Sequence, residues 1–132
     1  MPGVNYIAIV VAALVAFVGS FVWYMVFGKE LATVSKAFAE SLQQNRQPWK
    51  MLFVFGEHIV IALVLAYLVA RAGIAGWADA ALLGFLLWLG LSAMQWVSSI
   101  VYEKEPVKKA AIHAGDWLVK LIVIAVIVGI WR

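Results

Sequence analysis

Three ionisable side chains lie within a segment that is apolar enough to cross a membrane. His113, Asp116 and Lys120 all occur in the stretch from Lys108 to Trp131. A charge near the centre of a bilayer costs about 3 kcal/mol or more, so such residues usually face a cavity, pair with each other and bind protons or ions. Helical spacing places all three on one stripe, which continues as apolar residues. The sequence therefore predicts polarity in one half of the membrane only.

A second carboxylate is expected at the same depth. Glu57 lies seven residues after Lys50, and Asp116 lies seven residues after Lys109. At 1.5 Å per helical residue, both carboxylates lie about 10 Å inside the membrane. The sequence therefore predicts one polar pocket, lined by Glu57, Gln95, His113, Asp116 and Lys120. Supporting residues are expected at His58, Ser92, Ser99, Tyr102, Trp23 and Tyr24, with Ser20 as a further part of the wall.

Three interpretations of these polar residues are open from the sequence. In the first, the protein moves a proton, an ion or a small solute, with Glu57 and Asp116 as protonatable sites and Lys120 as their charge partner. In the second, Asp116 and Lys120 form a helical ion pair that only neutralises its own charges. In the third, the polar stripes bind another membrane protein or a lipid, and the chain is an accessory subunit.

Metal and enzyme chemistry are disfavoured by the residue pattern. Imidazole and carboxylate groups suit divalent transition ions, and His113 and Asp116 are one helical turn apart. However, the chain has only two histidines, Lys120 would repel a cation, and no HExxH motif is present. No GxSxG motif or glycine-rich phosphate loop occurs either. We predict no catalytic residue, no metal site and no cofactor.

The composition identifies the class of protein that positions these residues. Hydrophobic residues make up 66% of the 132 residues, and charged residues only 13%. This composition is typical of an all-α integral membrane protein in contact with the lipid bilayer. Nucleic acid binding is not expected, because the basic residues are scattered between apolar segments. The absence of cysteine excludes disulfides and thiolate metal sites.

Hydropathy predicts a single domain over residues 1–132 with four transmembrane helices in a bundle. The expected spans cover residues 6–27, 51–70, 80–102 and 110–131. The first loop shows helical spacing of apolar residues, which predicts a short interfacial helix at about 31–45 on the cytoplasmic surface. Asn45 and Pro48 are expected to end that helix.

The basic residues predict how the spans are oriented. The first and third loops contain seven lysines and arginines, whereas the second loop contains only Arg71 and the C-terminus only Arg132. Loops rich in these residues remain in the cytoplasm. We therefore expect a multi-pass protein of the bacterial cytoplasmic (inner) membrane, with both termini on the outer, periplasmic side.

Small residues indicate where helices approach closely. They recur every four residues in three of the spans: Ala12, Ala16 and Ser20, then Ala62, Ala66 and Ala70, then Ala125 and Gly129. The pattern does not distinguish contacts within one chain from contacts between chains. Because four helices enclose little volume, a path for a solute favours a homo-oligomer.

Short motifs resemble a known family along nearly the whole chain. The motifs are Asn5-Tyr6, Gly19 with Trp23-Tyr24, Phe27-Gly28-Lys29, Gly84-Phe85, and Ala114-Gly115 with Trp117-Leu118-Val119. In order and approximate spacing they resemble the small bacterial membrane proteins grouped as domain of unknown function 1761. The resemblance implies four spans and no particular activity. The family pattern commonly has Asn and Tyr where this chain has His113 and Asp116, and a proline-containing stretch that this chain lacks. The resemblance therefore implies that the charged pocket belongs to this chain or to a subgroup.

Overall fold

The computed structural model describes residues 4–43 and 48–131, which form five helices and no strand. The helices are α1 (Tyr6–Ala32), α2 (Lys36–Gln43), α3 (Pro48–Ala72), α4 (Trp77–Glu103) and α5 (Val107–Ile130). All except α2 are long and apolar enough to cross a membrane. The all-α membrane fold predicted from the sequence is thus confirmed. The helices extend a few residues beyond most of the predicted spans, and Trp131 lies just outside α5.

The first loop is divided differently from the prediction. Residues 31 and 32 belong to α1 rather than to the short helix, and Leu31 is completely buried. α1 ends at Ala32, and the hydroxyl of the capping residue Thr33 donates to the carbonyl of Glu30 at 2.6 Å. The hydroxyl of Ser35 then accepts from the N–H of Phe38 at 3.3 Å, at the start of α2. These two side chains divide the segment because each satisfies a helix end.

The predicted end of this helix falls only partly within the described residues. Asn45 lies outside them, and Pro48 is the first residue of α3. Proline suits this position because the first helical turn needs no N–H donor. Pro48 was expected only to end the short helix of the first loop, whereas in the structure it begins the membrane helix α3.

The last helix lies at the centre of the bundle. α5 packs against α1, α3 and α4, and α1 also packs against α3. Within the described residues, α4 makes nearly all its contacts with α5. A groove therefore remains open between α3 and α4. Of the eight small residues on the predicted faces, Ser20 and Ala70 are half-buried and the other six are buried within this single chain: Ala12, Ala16, Ala62, Ala66, Ala125 and Gly129.

The fourth helix contains a wider turn in its middle. Residues Trp88–Ala93 are π-helical, with α-helical geometry on both sides. A π-helical turn inserts extra backbone into a helix and changes which face its later residues present. The indole N–H of Trp88, at the start of this turn, donates to the carbonyl of Ala114 on α5 at 2.8 Å. The turn therefore attaches α4 to the part of α5 that carries the ionisable residues.

Candidate functional site

The Asp116 carboxylate is the centre of a buried polar cluster. Asp116 is only 4% exposed, and its Oδ1 accepts a hydrogen bond from the hydroxyl of Ser20 on α1 at 2.6 Å. Its Oδ2 lies 3.3 Å from the ammonium of Lys120, one turn further along α5. The hydroxyl of Tyr24 donates to the same oxygen over a longer distance of 3.5 Å. The carboxylate is thus held by one ion pair and two hydroxyl groups from a second helix.

Lys120 lies between a carboxylate and an aromatic ring. Its side chain is almost entirely buried, and its ammonium lies 4.3 Å from the ring centroid of Trp117. An ammonium over an indole face is attracted by the negative potential of the ring. The ion pair with Asp116 and the contact with Trp117 together stabilise a lysine that would otherwise be costly inside the membrane.

One histidine extends the cluster onto α3. His58 is 1% exposed, and its Nδ1 donates to the carbonyl of Val54 at 2.8 Å. With the proton on Nδ1, the Nε2 of the neutral ring carries a lone pair, and it faces the hydroxyl oxygen of Ser20 at 3.5 Å. Since Ser20 donates its single proton to Asp116, Nε2 would gain a donor role only when the imidazole is protonated. Ser20 therefore lies between the imidazole and the carboxylate, and hydrogen bonds join all three groups when Nε2 carries a proton.

The second histidine lies on the other side of the carboxylate. The Nδ1 of His113 is 2.8 Å from the hydroxyl of Tyr24, which also reaches Asp116. The imidazole stacks on the indole of Trp96 of α4, with centroids 5.1 Å apart and planes at 8°. Hydroxyl groups therefore connect the carboxylate to two imidazoles. We call the six residues Ser20, Tyr24, His58, His113, Asp116 and Lys120 the Asp116 cluster.

A large cavity leads from the Asp116 cluster to the end of the bundle where α1 ends and α3 begins. This α1–α3 cavity has a volume of about 720 Å³ and reaches Asp116 and Lys120 at one end. The exposed side chains of Lys29 and Glu57 also line the cavity, and Phe38 of α2 contributes to its wall. The two carboxylates predicted to share a depth, Glu57 and Asp116, therefore line the same cavity.

The structure separates the polar residues of α4 from the Asp116 cluster. Gln95 lines the groove between α3 and α4, which has a volume of about 550 Å³, together with Ser92 and Ser99. Tyr102 is 84% exposed at the end of α4. The predicted site residues on α3 and α5 are thus brought together with Trp23 and Tyr24, whereas Gln95 faces a different space. The functional roles of all of these residues remain predictions.

Several residues that contact the site were not predicted as site residues from the sequence. Trp117, Trp96 and Trp88 contact the site region from α5 and α4, and Lys29 and Phe38 line the α1–α3 cavity. Trp117 was detectable, because it follows Asp116 directly and lies three residues before Lys120 on one helix. The contacts of Trp88 and Trp96 depend on the orientation of α4, for which the sequence has no clear signal.

The donor groups of the cluster do not assemble a metal site. Within residues 4–43 and 48–131, no three histidine, aspartate or glutamate side chains lie close enough to hold one ion. Every buried side-chain nitrogen and oxygen in the same ranges has a hydrogen-bond partner. The geometry instead suits the binding and transfer of protons, because carboxylate, hydroxyl and imidazole groups follow one another at close range.

A tryptophan fixes the turn of α5 that carries Asp116. The indole N–H of Trp23 donates to the carbonyl of Ile112 at 2.9 Å, and its ring covers Gly115. A Cβ at position 115 would lie 2.6 Å from Cζ2 of Trp23, which is closer than real contacts allow. Glycine at this position therefore permits α1 and α5 to approach closely beside the carboxylate.

Gly115→Ala is expected to displace the Trp23 ring and to destabilise the protein by about 1 kcal/mol, since the indole can yield by partial rotation. The measurement is denaturant unfolding in detergent micelles. Gly19→Ala is the matched control, because a Cβ at position 19 meets no atom within 4 Å. Equal stability of the two variants would contradict the packing argument.

Comparison with known proteins identifies the family of the chain. Neither the curated proteins nor the solved structures provide a match. A family model described as protein of unknown function (DUF1761) matches residues 7–129, which is nearly the whole chain. The match agrees with the motifs on α1, α4 and α5. The chain is a small multi-pass membrane protein, and it belongs to the DUF1761 family.

Proposed function

We propose that the protein is a small transporter in which Asp116 binds and releases a proton at the inner end of a solute-accessible cavity. One observation carries the proposal: a carboxylate that is 4% exposed within a membrane helix lines a cavity of about 720 Å³. Ionisable residues in such positions commonly form proton or ion pathways. The cavity supplies access to the carboxylate, and the surrounding apolar helices isolate it from the far side of the membrane.

Proton transfer is favoured over movement of a bare metal cation. While the ion pair is formed, the ammonium of Lys120, 3.3 Å from Asp116, opposes a second cation at the carboxylate. Protonation of Asp116 removes its charge and releases Lys120 from the ion pair. Ser20 and Tyr24 can pass a proton onward because each hydroxyl group both donates and accepts hydrogen bonds. His58 and His113 then supply proton acceptors on either side.

The proposal predicts that Asp116→Asn slows proton movement at least about tenfold, because the amide retains the shape of the carboxylate but no longer binds the proton. The measurement uses purified protein in liposomes that contain a pH-sensitive dye, with an imposed pH gradient. Asp79→Asn is the matched control, since Asp79 is exposed in the first turn of α4. Equal proton flux in Asp116→Asn and in the unchanged protein would refute the proposal.

The second candidate function is that of an accessory subunit bound to another membrane protein. It is favoured by the groove between α3 and α4, which is mainly apolar and includes Gln95. A polar side chain on such a surface can hydrogen-bond to a helix of a partner. In this case the Asp116–Lys120 ion pair serves only to hold α5 in place.

Cross-linking distinguishes the accessory role from transport. The chain has no cysteine, so Gln95→Cys introduces a unique attachment site for a thiol cross-linker. An accessory role predicts one stoichiometric cross-linked partner in native membranes. It also predicts that liposomes containing the isolated protein are no more permeable to protons than empty liposomes. Val101→Cys, which is exposed on α4 outside the groove, is the control. A cross-link from position 95 to lipid, or the absence of any cross-linked product, would count against this role.

A further inference from the structure

We infer that the α1–α3 cavity binds an organic cation, an amine or quaternary ammonium with apolar substituents, which competes with Lys120 for Asp116. The inference rests on the proposed function and names the class of solute for the same cavity. It depends on three features of the cavity: its aromatic walls, the placement of its carboxylates, and the position that Lys120 already occupies.

The walls of the cavity are unusually rich in aromatic rings. They include Phe17, Phe21, Tyr24, Phe38 and Trp117, which come from α1, α2 and α5. Ring faces carry negative electrostatic potential and attract ammonium groups that have been removed from water. The same rings provide apolar surface for the substituents of the cation. An organic anion would gain the apolar contacts but would be repelled by the ring faces.

The charged residues of the cavity are arranged so that its carboxylates are accessible to a cation. Asp116 lies at the inner end of the cavity, and Glu57 is exposed along its wall. Of the two lysines, Lys120 is already bound to Asp116 and Trp117, whereas Lys29 is exposed. A cation that replaces Lys120 keeps the Asp116 carboxylate paired, and the lysine ammonium then has to move along the cavity toward the exposed carboxylate of Glu57.

Lys120 shows how a bound cation would be held. Its ammonium is 3.3 Å from a carboxylate oxygen and 4.3 Å from the centroid of an indole ring. These are the two contacts by which proteins recognise organic ammonium groups. A solute ammonium that entered through the cavity would find the same two partners once the lysine side chain moved aside. Lys120 therefore acts as an internal competitor that is released when the solute binds.

Calorimetric titration of the purified protein with two probes of similar size and opposite charge tests the inference. Benzyltrimethylammonium is expected to bind, and benzoate is expected to bind at least about tenfold more weakly, because only the cation gains the ring and carboxylate contacts. Asp116→Asn is expected to weaken binding of the cation about tenfold, through loss of the coulombic attraction between the carboxylate and the quaternary ammonium.

Two variants at exposed positions test the sign of the electrostatic effect without disturbing the buried ion pair. Glu57→Gln is expected to weaken binding of benzyltrimethylammonium about threefold, and Lys29→Gln to strengthen it about threefold, as is typical of partly screened charges. Glu103→Gln and Lys104→Gln are the matched controls, because both residues are exposed outside the cavity. Neither control is expected to change the affinity.

Equal affinity for the two probes, or affinity for the cation that is unaffected by Glu57→Gln and Lys29→Gln, would overturn the inference. Its failure is distinguishable from failure of the proposed function. Proton flux that depends on Asp116 without binding of the cation would overturn the inference alone. Binding of the cation with the expected signs, but with proton flux unchanged in Asp116→Asn, would overturn the proposed function alone.

Discussion

Asp116→Leu is expected to lower the free energy of unfolding by about 3–5 kcal/mol, the largest effect that we predict for a single substitution. The substitution leaves the ammonium of Lys120 buried without its carboxylate, at a position where the side chain is almost inaccessible to solvent. It also removes the acceptor of the 2.6 Å hydrogen bond from Ser20. Reversible unfolding in mixed detergent micelles measures the change.

A double substitution separates the cost of an unpaired charge from the value of the ion pair itself. Asp116→Leu with Lys120→Leu replaces both charges by apolar groups, and such replacements of a buried pair are often neutral. We expect the double variant to be more stable than Asp116→Leu alone, although proton flux is lost in both. Additive destabilisation by the two substitutions would mean that Asp116 and Lys120 are not energetically coupled.

The residues of α5 show how much of the site helical periodicity can predict. Asp116 and Lys120 share a stripe because residues four apart lie on one face of a helix, and the structure indeed pairs them at 3.3 Å. Ser20 and Tyr24 are likewise one turn apart on α1. Periodicity does not reveal which helices pack together, so the position of α5 between the other three spans could not be deduced.

The adjacent residues Glu57 and His58 illustrate what periodicity leaves undecided. Neighbouring residues point about 100° apart on a helix, so only one of them can face the contact with α1 and α5. Sequence reasoning assigned the carboxylate to the pocket and the histidine to a supporting position. In the structure His58 is buried at 1% exposure, and Glu57 is exposed along the cavity. A neutral imidazole costs less to bury than a carboxylate, which explains the arrangement.

The position of Gln95 depends on features that the spacing of residues does not report. Ser92, Gln95 and Ser99 share a face of α4, as their spacing indicates, but this face borders the groove with α3. The π-helical turn at Trp88–Ala93 ends two residues before Gln95 and alters the direction in which the later residues point. The turn contains Gly90 and Ser92, but such small residues also occur in regular membrane helices, so the sequence could not place Gln95.

Gly84→Ala is expected to destabilise the protein by about 3 kcal/mol, at the upper end of the usual cost of overpacking. A Cβ at position 84 would lie 2.8 Å from the carbonyl oxygen of Leu121 and 3.1 Å from Cα of Ile122. Both atoms belong to the backbone of α5, so no side-chain rotation can relieve the clash. The two helices would have to separate, and α4 packs almost entirely against α5 within the described residues. Thermal unfolding in detergent measures the loss.

Gly56→Ala distinguishes this clash from a general effect of adding a methyl group to a membrane helix. Gly56 lies within α3, and a Cβ there would meet no atom within 4 Å. Since alanine favours helix more than glycine does, we expect this variant to be as stable as the unchanged protein or slightly more stable. Comparable destabilisation by both substitutions would contradict a specific contact between α4 and α5. Destabilisation by Gly84→Ala together with unchanged or increased stability of Gly56→Ala would show that Gly84 sets the distance between α4 and α5. This distance in turn determines where Trp88 and Trp96 contact the turn of α5 that carries Asp116.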